Sequence, residues 1–131
     1  MILSVTGHRP KRLGGFSKAA QSRLIAFANR CLLRYDTEVE GIVGCALGWD
    51  QAMAQAFLDQ GHILHCAIPF EGFNAAWSLE QRKALDKLLD RALTVHTVSH
   101  DVDSEYQAVP ALMQRNKYMV DISNKVLALY D

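Results

Sequence analysis

Gly41-Ile42-Val43-Gly44-Cys45-Ala46-Leu47-Gly48-Trp49-Asp50 joins a short apolar run, a glycine-bounded loop and the opening of a helix. Trp49, Ala52, Met53, Ala56 and Phe57 then recur at helical spacing, and Gly61 suits the left-handed residue just past a helix end. A strand that turns at once into a helix is the repeating unit of a parallel sheet.

The unit repeats on either side. Upstream, Ile2 to Val5 is a buried-strand run, and Ser17 caps a helix carrying Ala20, Leu24, Phe27, Ala28, Cys31 and Tyr35 on one face. Downstream, His62 to Ile68 is nearly continuously apolar and stops at Pro69, the pattern of a strand covered on both faces. Ser78 with Gln81 forms a capping box for a helix that turns Leu79, Leu85, Leu88, Leu89 and Ala92 inward. Leu93 to Val98 is a fourth strand. A last helix is expected to open near Pro110 with Leu112, Met113, Asn116, Met119 and Val120 on its inner side, then a left-handed stop at Asn124 and a fifth strand over 125–129. Strict alternation predicts an α/β fold: one three-layer, Rossmann-like, doubly wound domain over 1–131, with about five parallel strands in the order 3-2-1-4-5 and helices on both faces.

Composition narrows the function. Fourteen basic and fourteen acidic residues cancel, which opposes binding along a nucleic-acid backbone and leaves room for a small anion held by one or two local cations. Cys31, Cys45 and Cys66 fit neither a disulfide framework nor a zinc site, and no apolar run approaches the ~20 residues of a membrane span. A cytoplasmic protein without metal or required cofactor is expected.

In a doubly wound sheet the loops leaving the carboxyl ends of the strands meet at the ligand edge. Thr6-Gly7-His8-Arg9-Pro10, Gly44 to Asp50 and Pro69-Phe70-Glu71-Gly72 all fall there. Arg9 offers a planar fork for a phosphate, unless it pairs with an acid such as Asp50, and His8 can donate to the same anion. Gly44 and Gly48 flank a helix start whose free N–H groups attract anions, with Cys45, Ala46 and Leu47 between them. Asp50 competes with a phosphate for those groups and could instead accept from a ribose or from the loop. Glu71 is a candidate ribose ligand or general base, Trp77 a candidate stacking partner for a purine, and Arg115 with Asn116 closes the site or ties the last helix to the sheet.

These blocks, with Arg115 to Asp121 and Val126 to Asp131, resemble the SLOG superfamily, and the YpsA-like branch of bacteria and phages in particular. The resemblance spans the chain. It implies a Rossmann-like domain that binds nucleotides or nucleotide-derived signals through the first loop and the glycine loop, and pairing into homodimers. Some relatives, the Lonely Guy phosphoribohydrolases, cleave base from ribose phosphate, and others process DNA. The hydrolase segment PGGxGTxxE is absent here, and Cys45 stands where many relatives carry a glycine or methionine. The expected function is therefore a sensor or sequestering protein for a nucleotide-like phosphate ligand. An N-glycosidic hydrolase using Glu71 or Asp50 is the alternative, and DNA binding ranks third.

Overall fold

The computed structural model describes residues 1–6, 17–35, 38–100, 102 and 105–128. They form β1 (Ile2–Thr6), α1 (Lys18–Leu32), β2 (Glu40–Val43), α2 (Trp49–Asp59), β3 (Ile63–Ile68), α3 (Leu79–Arg91), β4 (Thr94–Thr97), α4 (Glu105–Ile122) and β5 (Lys125–Ala128). All strand pairs are parallel, in the order β4-β3-β2-β1-β5.

The α/β alternation and five parallel strands match the sequence reading, but the expected order 3-2-1-4-5 does not hold. Two local causes separate the strands. The backbone N–H of Asn124 donates to Ile2 O at 2.8 Å and its side-chain Oδ1 accepts from Ile2 N at 2.7 Å, which docks β5 on the free edge of β1. This also replaces the left-handed stop expected at Asn124, which is not among the positive-φ residues. With β1 taken, β4 continues beyond β3, where Leu93 N donates to Leu64 O and Val98 N to Ile68 O. Exposed Thr94, Val95 and His96 suit an edge strand better than an interior one. Winding therefore reverses at β1 and β5, not between β1 and β4.

Strand alternation divides the core. Leu3, Val5, Val43, Leu64 and Cys66 pack with Ala28 and Leu32 of α1, Met53 and Phe57 of α2, and Leu85 and Leu88 of α3. Gly41 belongs to this face because a Cβ there would stand 2.3 Å from the Phe57 ring. The other face holds a smaller cluster of Ile42, Ala67 and Met119, and α4 covers it. On that side His65 links three strands, its Nε2 meeting Glu40 Oε1 at 2.9 Å and its Nδ1 meeting Thr94 Oγ1 at 2.7 Å.

The helix ends follow local chemistry. Ser17 Oγ accepts from Ala20 N, and Ser78 with Gln81 makes both bonds of a capping box. Gly61, at φ 76°, ends α2: its N–H reaches Leu58 O, His62 N reaches Phe57 O, and the Phe57 and His62 rings meet edge to face. Other expectations fail: Phe27, expected on the core face of α1, and Leu79, in the first turn of α3, are exposed, and α4 starts at Glu105, so Pro110 lies inside it. The face of α4 is also turned from the expected one: Ala111, Arg115 and Met119 are buried, whereas Met113, Asn116 and Val120 are exposed.

Candidate functional site

The loop from β2 to α2 is braced from three directions. Arg115 Nη1 donates to Gly44 O at 2.6 Å, Gln51 Nε2 to Cys45 O at 3.4 Å, and Ala46 N to Asp50 Oδ2 at 3.2 Å. Cys45 is in the left-handed region at φ 67°, which explains why a glycine would suit its place. Gly48 caps α2 with φ 92° and ψ −122°, a combination open to glycine and costly for other residues.

Gly44 answers a different need from the one expected. A Cβ on it would stand 2.9 Å from both Cζ and Nε of Arg115. The missing side chain admits a buried guanidinium, and that guanidinium lies where an approaching phosphate was expected. Arg115 Nε also donates to Asn116 Oδ1 at 2.9 Å. Asn116, expected on the inner side of the last helix, is exposed and orients the arginine, which is buried at 7% exposure.

Asp50, 9% exposed, lies in the first turn of α2 with its carboxylate on the loop. Of the partners considered for it, the loop N–H is one it takes, and Arg9 lies outside the described residues. A buried carboxylate here offsets the anion affinity of the helix start. Cys45 is fully buried, and a hydrogen bond with Cys66, followed by burial, holds its thiol well above the ordinary thiol range. It is a neutral packing group. Trp49 is buried against Phe27, ring centroids 5.9 Å apart, and its Nε1 has no hydrogen-bond partner among the described residues.

Outside the carboxyl ends of β2 and β3 lies a cavity of about 230 Å³, bounded by Ala46, Leu47, Phe70, Phe73, Trp77, Ala108, Leu112 and Arg115. Three backbone stretches converge on it: the glycine loop, the turns after Pro69, and the amino-terminal half of α4. Phe73 and Trp77 meet edge to face at 5.4 Å and form its aromatic wall. Arg115 is the one charged residue among the described residues of its lining.

Of the sequence candidates, the cavity gathers Ala46, Leu47, Phe70, Trp77 and Arg115. Pro69 is buried behind it, Gly44 and Asp50 support it through Arg115 and Ala46, and Glu71 is exposed and outside its lining. Thr6 ends β1 at the same sheet edge. Gly7, His8 and Arg9 lie outside the described residues. Phe73, Ala108 and Leu112 were not anticipated; the one available signal was the spacing of Phe73 and Trp77, four residues apart beside a Pro-Phe turn.

A larger cleft of about 1060 Å³ runs between α1 and α3 across α2, lined among others by Leu24, Gln51, Gln55, Lys83 and Lys87. Among the described residues it touches the glycine loop at Gly48 alone and gathers none of the other described candidates. Among the described residues no three His, Cys, Asp or Glu side chains are placed to hold a metal, and no helix is long and apolar enough to cross a membrane.

A parallel sheet wound in both directions from β1, with a pocket outside its strand ends, defines a Rossmann-like α/β domain. More narrowly, the chain belongs to the YspA SLOG family, whose model matches residues 3–131. It is also similar to an uncharacterized SPbeta prophage-derived protein, YoqJ, of Bacillus subtilis (strain 168), at 31% identity over 118 residues. That match covers 76% of this chain and 66% of the relative, so the chain spans just under two thirds of the relative's length.

Proposed function

We propose that the protein binds a nucleotide or nucleotide-derived ligand as a sensor or sequestering protein, with the ligand seated at the carboxyl edge of the sheet. The observation that carries this reading is the cavity, where Phe70, Phe73 and Trp77 offer flat apolar surface and Arg115 a cation. Aromatic walls with few polar groups suit a heterocycle. Membership of the SLOG family supports a nucleotide-related ligand. Arg9, three residues beyond the end of β1, is the proposed phosphate contact, with Thr6, Gly7 and His8 beside it. The acting form is a homodimer in the cytoplasm.

Binding fits the lining better than hydrolysis does. Cleavage of an N-glycosidic bond needs an acid or base within hydrogen-bond reach of the bond. Among the described residues the lining contains no carboxylate, Glu71 stands outside it, and Asp50 accepts from Ala46 N. Titration calorimetry with a panel of purine and pyrimidine monophosphates tests the reading: saturable binding of at least one, with no free base released, is the expected result. Release of free base that Glu71→Gln or Asp50→Asn abolishes would establish the hydrolase instead.

A further inference from the structure

Arg115 and Asp50 already occupy the features that would make the glycine loop an anion site. The space over Gly44 is filled by the guanidinium, and the Ala46 N–H is given to a carboxylate buried at the helix start. A phosphate placed there would displace the arginine and face the Asp50 charge. The wall that remains accessible is apolar: Ala46 and Leu47, opposite Phe70, Phe73, Trp77, Ala108 and Leu112.

From this we infer that the cavity is a subsite for an uncharged planar ring, a nucleobase or nucleoside moiety, and that the glycine loop is its wall and not a phosphate cradle. The inference rests on the proposed ligand class and specifies which part of the ligand the cavity takes. Three observations set the class. At about 230 Å³ the cavity is smaller than sites that enclose a whole drug-sized molecule (about 300–1,000 Å³), so it holds one ring system while the rest of the ligand extends outward. Its aromatic wall suits a flat face. The charge among its described lining residues, that of Arg115, is positive, which disfavours cationic rings. Arg115 acts here as a positioning residue: with its Nη1 and Nε held by Gly44 O and Asn116 Oδ1, it joins α4 to the glycine loop and so sets the gap into which the ring slides.

The test compares adenosine, guanosine, cytidine and uridine with their 5′-monophosphates by calorimetry, and by fluorescence in a Trp49→Phe background where Trp77 is the sole remaining tryptophan. At least one nucleoside without phosphate should bind and quench Trp77, and millimolar inorganic phosphate should not displace it. Trp77→Ala should weaken nucleoside and monophosphate by the same factor, about tenfold or more, while Trp77→Phe keeps most of the affinity. Ala108→Phe, which fills the cavity without removing its aromatic wall, should abolish both with the unfolding midpoint preserved. If monophosphates bind, nucleosides do not, inorganic phosphate competes, and neither Trp77→Ala nor Ala108→Phe has an effect, the ring subsite is refuted and the nucleotide reading survives. If neither nucleosides nor monophosphates bind, both fail.

Discussion

Gly44→Ala tests the arginine-filled glycine most sharply. A Cβ 2.9 Å from Cζ and Nε of Arg115 is closer than side-chain carbons approach, so the guanidinium must move. Its bond to Gly44 O, 2.6 Å and buried, is charge-assisted, and losing such a bond costs about 1.5–3 kcal/mol. Relaxation of the long side chain recovers part of that, so a net loss of about 2 kcal/mol is expected, lowering Tm by about 6–10 °C for a domain of this size. Urea unfolding of wild type, Gly44→Ala, Arg115→Met and the double variant gives the coupling directly. Once the arginine is gone the added methyl meets no guanidinium, so the two costs should be non-additive by about 1–2 kcal/mol. Strict additivity, or a Gly44→Ala cost below about 0.5 kcal/mol, would refute this account of the loop.

Other outcomes follow from the same geometry. Gly48→Ala forces a side chain into φ 92°, ψ −122° at the start of α2 and should cost about 1–3 kcal/mol, read as a lower urea midpoint at unchanged slope. Gly41→Ala drives a methyl into the Phe57 ring and should destabilise by about 1–3 kcal/mol, an effect that Phe57→Leu in the same chain should partly relieve. The Cys45 thiol keeps its proton in the folded state at pH values where the unfolded chain releases it. Its contribution is therefore complete below about pH 8.5 and is lost as pH rises through the alkaline range, a slope that Cys45→Ala should flatten. In the native protein a thiol reagent should modify half-buried Cys31 well before buried Cys45 and Cys66, and equal rates would contradict the packing described.

Features decided within a few residues were legible in the sequence. The Ser17 cap, the Ser78–Gln81 box and the Gly61 turn depend on side chains three or four positions apart, and all three form. So does the alternation of strands and helices, because each strand's apolar run is its own signal. Strand order was not legible, since it depends on which strand captures the edge of β1, and the Asn124–Ile2 bonds that decide it join residues 122 positions apart. The face of α4 differs from its apolar periodicity for a related reason: no local pattern shows that Gly44, 71 positions away, leaves a place for Arg115 to be buried. At the site, the glycine loop and the Pro69 turn were found as chain punctuation. The aromatic cavity between them needed the placement of α4, which brings Ala108 and Leu112 to the carboxyl edge.

If the cavity bounded by Leu47, Phe70, Trp77 and Arg115 holds the ring of a nucleotide-like ligand, the purified protein should carry that ligand, and mass spectrometry of small molecules released on denaturation, with wild type and Ala108→Phe prepared in parallel, reads it. Wild type should release a compound containing a nucleobase, and Ala108→Phe, equally folded, should release none of it. The same compound at equal occupancy in both proteins, or a wild-type ligand without a heteroaromatic ring, would contradict the claim.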